Sequence, residues 1–479
     1  MQAFFFWYPL IAASVLVVGC AVPPAADHTL PALPEQWHRV PTPQHSAPIR
    51  PSVSQHWWEQ FGSPELSAVV EQALANNQDM AASAARLEQA WAMARMVGAS
   101  RWPTVSASLD ASRQDRVGGL AETVGTNFAL GLTASYEVDL WGGLQAERES
   151  AVFSALASEL DATTVALTVS AETATAWVTM QSLRQQLAIA VSDLDSAQRV
   201  SALVRARVQE GVESPLALAQ QETLVANQRV SIALLRQQAA QAEALLALWL
   251  GTSTKPDSTA IDLMAMSVPT LEVGVPSELL VQRPDIKAAE ARLLAADGNV
   301  AVARAAMLPS LRLSAKVGGV DDELSHVLAN PVYSVAGGLL APIFNAGRLA
   351  AGHDLAQAQR QQVLAQYRQA ILHGFADVQM SLDAVAGTQQ QWDAQNDVLS
   401  QANRAFSLAQ ARYKEGAETV LTLLDAQRSL YAAQDAMARR QAERLLAVVS
   451  LYRALGGGWQ PEPSHRAAQE EKVQVLGNT

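Results

Sequence analysis

The chain has 479 residues, of which 34 are basic and 46 acidic, with 49 % hydrophobic and 17 % charged. The acidic balance excludes a nucleic-acid binder, which would carry a basic stripe, and the charge content is low for a soluble protein of this size. The one cysteine, Cys20, excludes a disulfide and a thiolate metal cluster.

Residues 1–19 read as a signal peptide. Phe4 to Val18 is an apolar run too short to span a bilayer, and it leads into Val17-Val18-Gly19-Cys20. Those four residues resemble a bacterial lipobox, which implies cleavage before Cys20 and a covalent lipid there. Ala21, where an inner-membrane lipoprotein would carry aspartate, implies sorting to the outer membrane. The pattern is broken at one point: the first Lys or Arg is Arg39, so no basic n-region precedes the apolar run, as a misplaced start codon would produce. Residues 20–62 form a Pro-rich tether, and residues 460–479 a polar tail expected to be disordered.

Between these ends the chain reads as two copies of one unit, over 63–268 and 269–459. ARVQEGVESPLAL (206–218) returns as ARYKEGAETVLTL, about 205 residues later. LANNQDMAASAARLEQA (74–90) returns as LVQRPDIKAAEARLLAA (280–296), and Pro103 meets Pro309. Each copy reads helix, proline, strand, loop, strand, glycine turn, very long helix, hairpin tip, returning helix.

The strands carry a period of two. Val105, Ala107 and Leu109 alternate with Ser106 and Ser108, and Phe128, Leu130, Leu132, Ala134 and Tyr136 with Asn127, Gly131, Thr133 and Ser135. Leu311, Leu313, Ala315 and Val317 alternate with Ser310, Arg312, Ser314 and Lys316. A fourth, less regular strand is expected around Val332 to Leu340. Such alternation suits a membrane barrel with a wet lumen, and equally one sheet of a soluble domain. The helices separate the two. Nothing from Gly143 to Gln209 breaks a helix, nor does proline from Gly347 to Lys414, so each would run roughly 100 Å, too long for a compact globule. Returning helices over about Leu216–Leu250 and Val420–Leu455 carry the apolar spacing of coiled-coil pairs. Four strands cannot close a barrel, because the smallest have about eight and lipid forbids an open edge. Several copies must therefore share one barrel, and three would give twelve strands.

From Cys20 to Trp459 the chain resembles the TolC-like outer-membrane efflux proteins, in their lipoprotein branch. The lipobox, PSELLVQRPDIKAAEARLLAA (276–296), ARAAMLPSLRLS (303–314), PIFNAGRL (342–349), ARYKEG with LTLLDAQRSLY, and LYRALGGGW (451–459) carry the resemblance. It implies an α+β membrane protein: a homotrimeric conduit with a twelve-stranded barrel in the outer membrane and a long α-helical tunnel in the periplasm. It further implies docking to a periplasmic adaptor and an inner-membrane transporter, of RND or ABC type, and no catalysis. The adaptor-docking tips fall at Gly211, Val212, Gly416 and Ala417. The periplasmic gate falls at Leu421 and Asp425, with Tyr413 and Arg412 at latching positions; three Asp425 carboxylates on one axis would favour cations. Ala217, Thr422 and Glu418 depart from the residues of relatives, so the latching contacts differ here.

The parts of an enzyme are missing. No H-E-x-x-H or G-x-x-x-x-G-K-[ST] occurs, the glycines 456–458 read as a helix stop, and Asp321-Asp322-Glu323 reads as a solvated loop between strands. Neither a metal nor a cofactor beyond the lipid on Cys20 is expected. Two non-enzymatic alternatives share the pattern: a conduit for protein secretion and a lipid-anchored coiled-coil scaffold.

Overall fold

A computed structural model describes residues 55–114, 125–255, 261–269, 276–278 and 282–459, with Pro31, Pro34 and Trp37. The signal peptide, Cys20, nearly all of the tether and the tail lie outside the described residues.

Helices α1 (Pro64–Asn76) and α2 (Gln78–Gly98) open the first copy. Ser63 starts α1, its hydroxyl accepting from the Leu66 amide with Pro64 at the first helical position, and Asn77 starts α2 by accepting from the Asp79 amide. Strands β1 (Thr104–Gln114) and β2 (Gly125–Val138) follow, then α3 (Gly143–Gln209) and α4 (Pro215–Trp249). The second copy gives α5 (Pro284–Ala305), β3 (Ser310–Asp321), β4 (Val332–Leu340), α6 (Arg348–Lys414) and α7 (Val420–Ala454). The long helices have 67 residues each and the returning helices 35 each. At 1.5 Å per residue the former span about 100 Å.

The duplication extends to packing. A Cβ on Gly251, after α4, would fall 2.3 Å from the Asn76 carbonyl oxygen; one on Gly456, after α7, would fall 2.5 Å from that of Gln282. Both glycines are fixed by the same close approach of backbone.

The strands form one antiparallel sheet in the order β1-β2-β3-β4. Residues opposite one another share a face, and the register sorts the faces by chemistry. One row reads Val105, Ala134, Ala315, Val335, and the next Ala107, Leu132, Val317, Tyr333. Between them, on the other face, runs Ser106, Thr133, Lys316, Ser334. The apolar face is bare, with Tyr333 82 % exposed and Val335 76 %. Among the described residues, neither outer edge, β1 or β4, has a further partner strand. A soluble monomer does not leave an apolar face and two edges open.

Below the sheet, α4, α3, α7 and α6 stand side by side, α4 on α3, α3 on α7 and α7 on α6. Composition alone would let part of α3 cross a bilayer, and 22 % of that apolar window is buried; Ala157 and Leu160 of α3 pack on Ala288 and Ala291 of α5. The largest core lies at the waist, where Trp57, Phe61, Leu66, Trp177, Leu246, Leu263 and Tyr452 are buried together. Trp57 stacks on Tyr452 at 5.1 Å, and the Tyr452 hydroxyl donates to Gln60 Oε1 at 2.5 Å. Trp37 stacks on Phe375 at 5.1 Å. The segment read as tether up to residue 62 is thus held to the helices at Trp37 and again at 57–61. Each such aromatic contributes about 1.5–3 kcal/mol by burial.

Candidate functional site: hairpin tips and the constriction face

The two hairpins turn by the same mechanism. At the end of α3 the backbone enters the left-handed region at Gly211, φ +75°, and at the end of α6 at Gly416, φ +76°. The Val212 amide donates back to the Arg207 carbonyl at 2.9 Å and the Ala417 amide to the Arg412 carbonyl at 2.9 Å, closing the last turn of each helix. The returning helices are capped in parallel, Ser214 Oγ accepting from the Ala217 amide and Thr419 Oγ1 from the Thr422 amide. Glycine is required by φ and not by crowding: a Cβ on Gly211 would meet nothing within 4 Å, and one on Gly416 only the Arg207 guanidinium at 3.8 Å. Among the described residues, no side chain crowds either turn. Val212 and Ala417 are exposed beside them.

Arg207 clasps one hairpin to the other. Its Nη1 donates to the Tyr413 carbonyl at 2.8 Å, and its guanidinium lies 4.5 Å from the centre of the Tyr413 ring. Tyr413 is fully buried, and that burial raises its phenol above the ordinary range. Arg412 points the other way, to Glu418 Oε2 at 3.4 Å and the Ala417 carbonyl at 3.2 Å. Glu418 accepts from the Thr419 amide and the Thr422 hydroxyl as well, which holds its carboxyl below its usual range. Two of the three departing positions, Glu418 and Thr422, thus join Arg412 in a network local to the second tip. The third, Ala217, is buried between the hairpins.

On α7 the buried residues Leu423, Leu424, Gln427, Leu430 and Tyr431 pack into the inter-hairpin core. Leu421, Asp425, Arg428, Ala432, Asp435 and Arg439 recur every three or four residues and form one stripe. Leu421 is 59 % exposed. Asp425, one turn on, is exposed, with no hydrogen bond or ion pair among the described residues.

Three features escaped the sequence reading. Arg207 sits in a helix rich in arginine, and only the fold shows that it crosses to the other hairpin. Leu216, at the position of Leu421 in the first copy, is equally exposed, and the repeat itself could have pointed to it. Asp193, in mid-α3, is buried in a groove of about 420 Å³ among α3, α4 and α7, on the side of the Asp425 stripe. Nothing in the described residues pairs with its carboxylate, and burial pushes its pKa up to about 7. Beside it, Gln221 donates to Gln427, Gln427 to the Tyr431 hydroxyl, and that hydroxyl to the Asp193 carbonyl at 2.9 Å, a buried polar layer joining the hairpins. No group of metal-binding side chains occurs among the described residues.

This geometry has close counterparts. Residues 69–252 and 275–457 each match the outer membrane efflux protein family. The chain is 43 % identical to the pyoverdine export outer membrane protein OpmQ of Pseudomonas putida, covering 95 % of this chain and 98 % of that protein. It is 31 % identical to the toluene efflux pump outer membrane protein TtgC of the same species, over 97 % and 98 %. The open-state MtrE outer membrane channel of Neisseria gonorrhoeae superposes with a TM-score of 0.80 at 29 % identity, over 90 % of this chain and 98 % of that one. In sequence, repeat and fold, the chain belongs to the outer membrane efflux protein family, and it is a channel of the outer membrane, not an enzyme.

Proposed function

We propose that three copies of this chain close a twelve-stranded barrel and a helical tunnel through which small molecules leave the cell. The carrying observation is the four-stranded sheet, apolar on one face, polar on the other and open at both edges. Edge-to-edge closure with neighbours removes the open edges and puts the apolar rows in lipid. The adaptor seats over Gly211–Val212 and Gly416–Ala417, a reading supported by the exposure of all four residues and the same left-handed turn at both tips, and an inner-membrane transporter delivers the cargo. The constriction is formed by Leu421 and Asp425, supported by their exposure on one face of α7 beside the tip. Residues 1–19 are removed and Cys20 carries the lipid, so the mature N-terminal peptide should show acylated cysteine by mass spectrometry.

Among cargoes, pyoverdine-type export leads, because the two pyoverdine export proteins stand at 43 % identity and the toluene and solvent pump components at 31 %. The test is expression in Pseudomonas putida lacking OpmQ, with pyoverdine measured in medium and periplasm. Restored release supports the cargo. Toluene tolerance restored in a parallel strain lacking TtgC, without pyoverdine release in the strain lacking OpmQ, assigns the chain to solvent export. For the docking site, Gly416→Trp should leave the assembly in the outer membrane and abolish efflux; efflux at the original level would remove the tip from docking.

A further inference from the structure

A cavity of about 510 Å³ lies where the helices meet the base of the sheet, between α2, α3 and the ends of β1 and β2. Arg95, Arg101 and Arg148 line it, with Trp91, Trp102 and Tyr136. No acidic side chain contributes to the lining, and none of the three guanidiniums has an ion pair among the described residues. Arg148 is 7 % exposed, and its Nη2 is buried with no hydrogen-bond partner among the described residues. Leaving a buried cation unsatisfied is costly, and such a group calls for an anion to complete it.

The duplication sharpens the point. At the corresponding positions of the second copy stand Ala301, Met307 and His353, so the arginines are not inherited from the repeat. This cationic chemistry belongs to one copy, and a role in folding the shared unit does not account for it.

Location names the class of ligand. β1 begins at Thr104 and β2 ends at Val138, so the cavity sits at the periplasmic end of the barrel. Trp102 is 57 % exposed there, and indoles favour the headgroup layer of a bilayer. Arginine forks match phosphate oxygens bidentately, and an indole-lined wall suits the glycerol and the start of an acyl chain. We propose that this cavity binds the phosphate headgroup of an inner-leaflet phospholipid, seating the barrel at a fixed depth through Arg95, Arg101 and Arg148. The proposal rests on the chain being an outer-membrane channel.

The test uses the detergent-extracted assembly of the full chain, delipidated and then offered phosphatidylglycerol or inorganic phosphate. Native mass spectrometry reads lipid bound per chain, and planar-bilayer conductance is recorded on the same samples. The wild type should retain phosphatidylglycerol. Arg95→Gln with Arg101→Gln should weaken retention by about tenfold or more, as expected for lost charge-assisted hydrogen bonds. Arg148→Lys, which keeps the charge and loses the fork, should fall between. Equal retention by the double variant overturns the proposal, as does inorganic phosphate displacing the lipid at equal concentration, or imaging that finds a neighbouring chain filling the cavity. A wild type that neither conducts nor reaches the outer membrane would instead overturn the channel reading beneath it.

Discussion

Two aspartates of the hairpin helices have opposite surroundings. Asp425 is exposed and unpaired, a free charge on the stripe that follows Leu421. Asp425→Ala should raise single-channel conductance and weaken block by divalent cations; unchanged values for both would remove it from the constriction. Asp193 is buried with Tyr431, Arg428, Asp435 and Arg439 of α7 near it, the last two paired with each other. Its carboxyl titrates higher folded than unfolded, so the folded state holds the proton more tightly, and stability falls as pH rises from about 4 towards about 7. Asp193→Asn should therefore stabilise the assembly above pH 7, by on the order of 2 kcal/mol after allowance for water in the groove, and change little near pH 4. Thermal midpoints at both pH values check this, and an equal shift at both would refute it. Asp425 could be singled out in the sequence because LTLLDAQ is a local motif that carries the resemblance. Asp193 could not, because its burial is made by Leu224 and Tyr431, residues remote in sequence that only the fold brings to it.

The hairpins were legible as elements because turn chemistry is local. Glycine, capping hydroxyl and apolar spacing all lie within a few residues of each tip, and the duplicated segment states them twice. What joins the hairpins was not legible. Arg207 crosses to the Tyr413 carbonyl and ring, and the Gln221–Gln427–Tyr431 layer lies further along the same seam. Arg207→Ala removes a charge-assisted hydrogen bond and a ring contact, together about 2 kcal/mol. Because the seam runs beside the proposed constriction at Leu421 and Asp425, this variant should admit large antibiotics that the wild type excludes. Permeability at wild-type levels, with normal amounts of channel in the membrane, would assign the clasp to structure alone.

For the molecule as a whole, alternation within each strand could be read from the chain, but the register across strands could not, since periodicity does not say which residues face each other. The register turns four alternating segments into two chemically distinct faces. Val335→Arg, at the bare apolar face, should cost about 2–4 kcal/mol near the bilayer midplane and reduce assembled channel in outer-membrane fractions. Ser334→Arg, its neighbour on the polar face, should assemble normally and shift ion selectivity. Equal assembly of both variants would mean that the faces are assigned the wrong way round.

The matched lengths of the helices, 67 with 67 and 35 with 35, restrict how this conduit changes over evolution. One residue inserted into α3 alone would lower its tip by about 1.5 Å and swing every later side chain by about 100°. The Arg207 clasp would miss its carbonyl, and the two tips would no longer be level. Point substitutions accumulate freely between the copies, as the lone arginine cluster of the first copy illustrates. A longer tunnel would need coordinated insertions in all four helices, so the reach of the channel across the periplasm would change only as a unit.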